Sequence, residues 1–162
     1  MKSNFNPLSA EELVSRINKI PRVNLAQLPT VLEYAPNISK ELNINLYIKR
    51  DDCTALAFGG NKTRHLEFIM AKTLSGEYDC ILTGAASQSN FCRQAVAAAN
   101  KLNLDSYLVL MHGIKGKLMQ GNFLLYNILG ANVEVVDGEN LEEIPKHLDR
   151  KYSQLVKEGR KP

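Results

Sequence analysis

Three short apolar runs, separated by segments long enough for helices, constrain most strongly what this chain can fold into. The runs occupy residues 80–83, 107–111 and 133–136. The segments with helical periodicity that follow them occupy about 89–102, 118–129 and 141–158. Runs that are apolar throughout are typical of parallel strands covered on both faces. The sequence therefore predicts an α/β fold of three layers, with a parallel sheet built from βαβ units in the middle.

The chain before residue 80 is less regular, and its elements are predicted from local signals. Ser9 and Glu12 have the spacing of a capping box, which predicts a helix that runs to about Lys19. Residues 21–37 contain three prolines and are expected to be extended or looping. Residues 45–49 have the composition of a short strand.

The overall composition is that of a soluble globular protein. Hydrophobic residues make up 44% of the chain, charged residues make up 23%, and the net charge is +3. Because the basic side chains are scattered, we expect neither a nucleic-acid surface nor a membrane-binding patch. The basic cluster at 157–161 is interpreted as a solvated tail.

Targeting signals and cysteine usage indicate the cell compartment. No apolar run approaches the length of a membrane span, and the N-terminus lacks an apolar signal core. The three cysteines, Cys53, Cys80 and Cys92, have no metal-ligand spacing, and their odd number argues against a disulfide framework. We therefore expect a cytoplasmic protein without a metal site.

The segment 58–64 opens a predicted helix and contains the first candidate site. Its paired glycines let backbone N–H groups approach a ligand closely, and a helix start favours an anion. The charge of Lys62 opposes the helix dipole, which favours the free amine that Schiff-base formation requires. A phosphate-binding loop is rejected, because Leu56 and Asn61 stand where that motif needs glycine. A surface lysine at a helix start is the commoner case for this residue type.

The segment 83–94 joins a predicted strand to the next helix and contains the second candidate site. In parallel sheets, ligands bind beyond the carboxyl ends of the strands, where helix N-termini also point. Gln88, Ser89 and Asn90 could offer N–H groups to a carboxylate or phosphate there. The simpler alternative is that Ser87 or Ser89 caps the helix. A serine-hydrolase triad is poorly supported, because no histidine is near Ser89 in sequence.

Several short motifs occur in the same order as in one known enzyme family. They occupy residues 47–52, 59–64, 66–68, 88–90, 93–94, 97–99, 120–122 and 129–131. In this order they resemble the D-cysteine desulfhydrase and 1-aminocyclopropane-1-carboxylate deaminase family of pyridoxal-phosphate enzymes, which have the tryptophan synthase β-type fold. The resemblance extends from about residue 23 to residue 136, and the joint order of the motifs is more specific than any one of them.

The resemblance implies roles for five residues. Lys62 would hold the cofactor, pyridoxal 5′-phosphate, through its amine and would then remove the substrate α-proton. Asn90 would hydrogen bond to the 3′ oxygen of the cofactor, and His65 would contact its phosphate group. Ser89 would bind the substrate carboxylate and transfer protons, with Gln88 and Asn90 as further substrate-binding residues.

Two residues near the predicted cofactor site depart from the family pattern, and Cys53 stands where an apolar residue is commoner. His65 stands where the family usually has a lysine, and it would be a weaker or pH-dependent cation. Phe91 stands where the family usually has a histidine, so a polar group beside the cofactor ring is lost. These departures leave open a second function, that of a non-catalytic binding or regulatory module that keeps the fold. A nucleotide-binding domain is disfavoured, because no Gly-x-Gly-x-x-Gly follows any predicted strand.

Members of the family are considerably longer than this chain, so the resemblance covers their N-terminal half. Residues 1–60 would belong to the large cofactor domain, whose remainder is absent here. Residues 61–162 would form the small α/β domain, with the cofactor lysine at its start. The reaction would release pyruvate, ammonia and sulfide from D-cysteine, or would open the ring of aminocyclopropane-carboxylate. We expect a homodimer or a complementing C-terminal half as partner, and no turnover by this chain alone.

Overall fold

The computed structural model describes residues 7–112, 118–138 and 140–162. Its helices are α1 (Ala10–Ile17), α2 (Pro36–Leu42), α3 (Lys62–Ser75), α4 (Asn90–Lys101), α5 (Gly121–Ile128) and α6 (Ile144–Lys157). Its strands are β1 (Leu32–Tyr34), β2 (Tyr47–Lys49), β3 (Cys80–Ala86), β4 (Asp105–Met111) and β5 (Asn132–Val136). None of the helices in the described ranges has the length and apolar character needed to cross a membrane.

The strands β3, β4 and β5 form a parallel sheet with β4 in the centre. Ala86 pairs with Met111, and Met111 pairs with Val136, so the carboxyl ends of the three strands lie on one edge of the sheet. The predicted parallel sheet is confirmed. The segments that leave β3 and β4 both start at this edge.

Helices cover both faces of the sheet, because successive residues of β4 point to opposite sides. Leu108 and Leu110 face α4 and α5. The buried cluster on this side also contains Cys92, Val96, Phe123 and Tyr126. Val109 and Met111 face α6, in a cluster that also contains Val136 and Ile144. The predicted three-layer arrangement is confirmed.

Gly84 in β3 lets α6 approach the sheet closely. A Cβ at this position would lie 2.8 Å from Ile144 Cγ2 and 2.8 Å from the carbonyl oxygen of Val109. Glycine within a strand is typical of such close approaches. β3 therefore continues through Gly84 to Ala86, whereas the sequence predicted a strand that ends at residue 83.

The helix α3 packs beside α4 rather than on the sheet. The shared core contains Leu66 and Met70 of α3, Ala95, Ala98 and Ala99 of α4, together with Leu25 and Leu104. Small alanine side chains let two helices lie close together. This packing places the start of α3 near the start of α4.

A buried carboxylate attaches the N-terminal segment to α3. Glu67, only 1% exposed, accepts the backbone N–H groups of Leu25 and Ala26, each at 3.0 Å. Its other oxygen forms an ion pair with Arg22 at 3.2 Å. Because a buried charge is costly unless it is paired and hydrogen bonded, these contacts hold residues 22–26 firmly on the helix.

A second polar contact joins the turn after β2, at Asp51, to α3. Arg64 donates two hydrogen bonds of 2.7 Å to the carboxylate of Asp51, one to each oxygen. Thr30 donates to the same carboxylate at 3.1 Å and accepts from Arg64 at 3.1 Å. Two parallel bonds of this kind fix direction as well as distance.

Residues 31–49 form a small unit that the sequence analysis predicted only in part. β1 and β2 pair antiparallel, with Leu32 opposite Lys49. The connecting helix α2 was not predicted, although Pro36 at its first turn and Asn43 in the left-handed conformation (φ 52°) just after it are ordinary helix boundaries. Every residue of β1 and β2 is exposed.

The prediction for the N-terminal helix is confirmed, whereas the prediction for the C-terminal segment is wrong in part. The capped start of α1 is confirmed, since Ser9 Oγ accepts the N–H of Glu12 at 3.1 Å. The interpretation of residues 157–161 as a solvated tail is wrong in part. Arg160 forms ion pairs with Asp79 at 3.0 Å and with Asp105 at 2.6 Å, which attach the segment to the amino ends of β3 and β4.

Replacing Asp51 with asparagine tests the contact between the turn after β2 and α3. Hydrogen bonds from Arg64, and then from Thr30, hold the pKa of the Asp51 carboxyl below its usual value of 3.8. A lowered pKa in the folded state gives stability that is present above the unfolded pKa and is lost as pH falls through the folded one. We expect Asp51→Asn to lower the free energy of unfolding by about 1 kcal/mol at neutral pH. The difference should shrink as pH falls below 3.8 and disappear below the lower pKa of the folded state.

Urea unfolding of both proteins at neutral and acidic pH measures this difference. Asp149→Asn is the control, because Asp149 is exposed and its carboxylate pairs with no described residue. A loss of stability that is the same at every pH, or that the control shares, would contradict the ion-pair explanation.

Candidate active site

The first part of the site is the turn between β3 and α4. Ser87 extends the ladder by donating its N–H to the carbonyl oxygen of Met111 at 2.7 Å. Ser89 caps α4, since its Oγ accepts the N–H of Cys92 at 3.3 Å. The predicted capping role of Ser89 is confirmed. The N–H groups of Asn90 and Phe91, at the first two helical positions, have no acceptor within the helix.

The second part of the site is the loop that leads into α3, whose first residue is Lys62. The buried Thr54 closes this loop through two hydrogen bonds to one residue of the loop. Its hydroxyl donates to the carbonyl oxygen of Gly60 at 2.9 Å and accepts the N–H of the same residue at 3.0 Å. The N–H of Gly60 also lies 3.0 Å from the carbonyl oxygen of Asp51, so the loop is held from both sides.

The backbone of this loop is in an unusual conformation. Ala55, Ala57 and Phe58 have φ of 70°, 45° and 68°, in the left-handed region that residues with a Cβ avoid. Each such residue costs about 1 kcal/mol or more. The loop therefore keeps its shape only because the surrounding contacts impose it, and strain of this kind clusters at functional sites.

The side chain of Gln94 joins the two parts of the site. It is fully buried, its Nε2 donates to the carbonyl oxygen of Gly59 at 3.1 Å, and its Oε1 accepts from Thr63 Oγ1 at 2.7 Å. Gly59 and Thr63 flank Lys62 in sequence, and Gln94 lies one turn after Asn90. The start of α3 is thereby held against the first turn of α4.

Arg93 and Asn122 add a third segment, the start of α5. Arg93 donates to the carbonyl oxygen of Gly59 at 2.9 Å and to Asn122 Oδ1 at 3.0 Å. Asn122 Nδ2 donates to the carbonyl oxygen of Gln88 at 2.8 Å and to Asn90 Oδ1 at 2.9 Å. The turn before α4 is therefore bonded to segments on either side of it.

Two further side chains fix the turn at 87–90. The side-chain amide of Gln88 accepts the N–H of Asn122 at 2.9 Å and donates to the carbonyl oxygen of Gln120 at 3.1 Å. The buried Tyr126 donates its hydroxyl to the carbonyl oxygen of Ser89 at 2.8 Å. Burial raises the pKa of the Tyr126 phenol, so it stays protonated and keeps this bond at physiological pH.

The structure brings four of the five predicted site residues to neighbouring helix starts. Lys62 is half-buried, and no described residue hydrogen bonds or ion-pairs with its amine. Gln88 and Ser89 are half-buried and Asn90 is exposed. His65 lies one turn along α3 from Lys62 and is exposed, and it has no polar contact with the turn at 87–90.

Phe91, one of the two departures from the family pattern, is half-buried and packs against the core between α3 and α4. Its ring therefore contributes to the contact between the two helices that carry Lys62 and Asn90. An apolar side chain is expected at such a position, since its burial stabilises the helix pair.

The sequence analysis assigned no role to the residues that join these segments. They are Thr54, Thr63, Arg93, Gln94, Asn122 and Tyr126. Arg93, Gln94 and Asn122 belong to the motifs of the resemblance, but no bonding partner could be read from them. One sequence signal indicated that Gln94 is buried. It lies four residues before Ala98, which is buried, and therefore on the apolar side of α4.

The polar groups at these helix starts fit pyridoxal phosphate, which presents an aldehyde, a ring oxygen and an anionic phosphate. Lys62 offers a primary amine and Asn90 an amide, while the open N–H groups of α4 favour an anion. The carboxylates of Asp51 and Asp52 are paired with arginines. Among the residues that the structure describes, no group of three or more His, Cys, Asp or Glu is placed to hold a metal ion.

The chain is similar in sequence to known pyridoxal-phosphate enzymes. A sequence profile described as pyridoxal-phosphate-dependent enzyme matches residues 23–162. The chain is 40% identical over 152 residues to a Pyrococcus horikoshii protein provisionally named 1-aminocyclopropane-1-carboxylate deaminase, covering 93% of this chain and 46% of that protein. It is 37% identical over 153 residues to D-cysteine desulfhydrase of Klebsiella pneumoniae, covering 92% and 46%. The chain thus spans just under half the length of these relatives, and the predicted resemblance is confirmed.

Solved structures show the same fold. A crystal structure of an ACC deaminase homologue matches with a TM-score of 0.85 at 40% identity, covering 93% of this chain and 45% of that one. The processed form of threonine deaminase isoform 2 from Solanum lycopersicum matches with a TM-score of 0.69 at 21% identity, covering 96% and 40%. The second match concerns the fold alone. The predicted fold of pyridoxal-phosphate enzymes is confirmed.

Gly59→Ala and Gly130→Ala form a matched pair that tests how tightly the loop before Lys62 is packed. Both glycines have φ of 75°. A Cβ at Gly130 would meet nothing within 4 Å, whereas at Gly59 it would lie 1.8 Å from the carbonyl oxygen of Asp52. We expect Gly130→Ala to lower the free energy of unfolding by about 1 kcal/mol. Gly59→Ala should lower the free energy of unfolding by about 2 kcal/mol more, because the backbone at Asp52 or in the loop must move to make room for the Cβ.

Chemical denaturation of the two variants measures the difference. Equal losses of stability would mean that the loop can relax without cost, and would contradict the account of an imposed conformation.

Proposed function

The chain belongs to the family of pyridoxal-phosphate-dependent enzymes, and from that premise we propose that it supplies the cofactor lysine and the substrate-facing turn of a lyase or deaminase acting on small amino acids. The observation that carries the proposal is the contact made by Gln94. It holds the residues on either side of Lys62 against the helix that begins at Ser89 and Asn90. The start of α3, which carries Lys62, is thereby held against the first turn of α4, which carries the open N–H groups.

Lys62 is the residue that binds the cofactor and moves the proton. Its amine is half-buried and has no bonding partner among the described residues, so it is available for a covalent bond to an aldehyde. With D-cysteine as substrate, the amine of Lys62 would also take the α-proton. 1-Aminocyclopropane-1-carboxylate has no hydrogen on its α-carbon, so this role applies to D-cysteine alone. The bound cofactor supplies a ring that withdraws the negative charge left on the substrate.

The turn at 87–90 would bind the substrate carboxylate and the 3′ oxygen of the cofactor. The open N–H groups of α4 and the hydroxyl of Ser89 suit the substrate carboxylate. Asn90 would donate to the 3′ oxygen of the cofactor, and His65 would contact its phosphate. Gln88 keeps one side-chain N–H for the substrate, since its other amide contacts are with Gln120 and Asn122.

The substrate is D-cysteine or 1-aminocyclopropane-1-carboxylate, as the names of the relatives suggest. Loss of the α-proton from D-cysteine expels the thiolate from Cβ, and with one water the products are pyruvate, ammonia and hydrogen sulfide. The cyclopropane substrate with one water gives 2-oxobutanoate and ammonia. Sulfide release therefore separates the two substrates, whereas ammonia release does not.

The partner is a second copy of the chain or a polypeptide equivalent to the other half of the relatives. Support comes from the large apolar side chains of residues 31–48, the segment that contains β1, α2 and β2. The following are 43–65% exposed: Val31, Leu32, Tyr34, Ile38, Leu42, Ile44, Tyr47 and Ile48. Exposed apolar residues concentrated in one segment mark interaction surfaces. The division into a large-domain part (1–60) and a small domain (61–162) stays a prediction. We also expect no turnover from residues 1–162 alone.

A non-catalytic binding module is the second candidate. The observation that favours it is Phe91, which packs into the α3–α4 core where the family usually has a polar residue. Such a module would bind a partner or a small molecule without using the amine of Lys62. Its binding would survive Lys62→Ala.

Titration with pyridoxal phosphate tests the leading proposal, because covalent attachment shifts the visible absorbance band of the cofactor. We expect the shift with the unaltered chain and its loss in Lys62→Ala. Lys72→Ala is the matched control, because Lys72 is an exposed lysine in the last turn of the same helix. The control should keep the shift.

Equal shifts in Lys62→Ala and the unaltered chain would mean that another lysine reacts, and would overturn the role of Lys62. Circular dichroism of each variant shows whether the fold is retained.

A further inference from the structure

The guanidinium of Arg93 fixes which way the side-chain amide of Asn122 points. A guanidinium can only donate hydrogen bonds. Because Arg93 donates to Asn122 at 3.0 Å, the amide oxygen of Asn122 must face it and Nδ2 must point away. The second donation from Arg93, to the carbonyl oxygen of Gly59, holds the guanidinium in place.

The orientation of Asn122 fixes that of Asn90 in turn. The two hydrogens of Asn122 Nδ2 go to the carbonyl oxygen of Gln88 and to Asn90 Oδ1. The oxygen of Asn90 is therefore occupied by a group that can only donate. If the Asn90 amide were rotated by 180°, its Nδ2 would face Asn122 Nδ2, and two donors would oppose each other.

The side-chain atom of Asn90 that remains available for a hydrogen bond is its Nδ2, for which no described residue provides an acceptor. We propose that Asn122, held by Arg93, is a positioning residue that makes Asn90 a hydrogen-bond donor toward the ligand. This inference rests on the proposed function, in which the ligand atom is the 3′ oxygen of pyridoxal phosphate. A donor stabilises that oxygen in its negatively charged form, whereas a reversed Asn90 would present a repelling oxygen.

Gly121 allows Asn122 to come this close to the turn at 87–90. It has φ of 54°, and a Cβ there would lie 2.6 Å from Gln88 Oε1. The same oxygen accepts the backbone N–H of Asn122 at 2.9 Å. Backbone and side chain of Asn122 are thus both bonded to the turn, so its amide has little freedom to rotate.

Asn122→Asp tests the inference, because the aspartate keeps the contact with Arg93 but has no N–H for Asn90. The Asn90 amide then turns its Nδ2 toward the new carboxylate. Cofactor affinity should fall about tenfold or more. At saturating cofactor, absorbance should move from the visible to the near ultraviolet, because the ring oxygen takes up a proton. Asn122→Ala leaves Asn90 free to turn either way and should give an intermediate ratio of the two bands.

Asn127→Asp is the matched control, since Asn127 is an exposed residue of the same helix whose amide contacts only Phe123 and Met119 among the described residues. Its absorbance ratio should equal that of the unaltered chain. A purely structural role of Asn122 would change how much cofactor binds, but it would leave the ratio at saturation unchanged.

A double variant shows whether Asn122 acts through Asn90. Asn90→Ala removes the same N–H directly, so Asn90→Ala/Asn122→Asp should have the ratio of Asn90→Ala alone. Additive changes would overturn the inference. Should Asn122→Asp fail to fold, Asn122→Ala carries the same comparison.

The outcomes separate this inference from the proposed function. An unaltered chain that shows no shift with pyridoxal phosphate would overturn the proposed function. A normal shift in the unaltered chain, with Asn122→Asp indistinguishable from Asn127→Asp, would overturn only the positioning role.

Discussion

The side-chain amide of Gln94 is the interaction on which the site depends. It is fully buried, and it bonds to Gly59 and Thr63, the residues on either side of Lys62. Removing it would leave the carbonyl oxygen of Gly59 with Arg93 alone and the hydroxyl of Thr63 with Thr54 alone, at a cost of about 1 kcal/mol for each lost hydrogen bond. Without this contact the strained loop at 55–58 would be free to relax, and Lys62 would lose its fixed position relative to α4.

The functional groups lie on segments far apart in sequence, and polar side chains rather than the sheet bring them together. The sheet places the turn at 87–90 at its carboxyl edge, whereas α3 reaches the turn only through its packing on α4. Arg93 and Asn122 then add the start of α5. A site on helix starts combines open N–H groups with rigid support, which is what binding an anionic cofactor requires.

The parts of the structure that could be predicted from sequence are those with local signals. The three central strands are apolar throughout, and the caps at Ser9 and Ser89 need only neighbouring residues. The helix α2 was hidden by the prolines around it, and the extension of β3 depends on the close approach of α6. The bonds of Gln94 join residues 31 and 35 positions apart, so no local pattern contains them. The role of Lys62 came from the resemblance, because its spacing alone is also that of a surface lysine.

The most direct test of the central claim is to find which lysine pyridoxal phosphate modifies. The chain would be incubated with one equivalent of cofactor, reduced with borohydride to make the bond permanent, digested, and mapped by mass spectrometry. The account predicts a single dominant adduct on the peptide that contains Lys62. An adduct spread over the exposed lysines, with Lys62 unmodified, would contradict it.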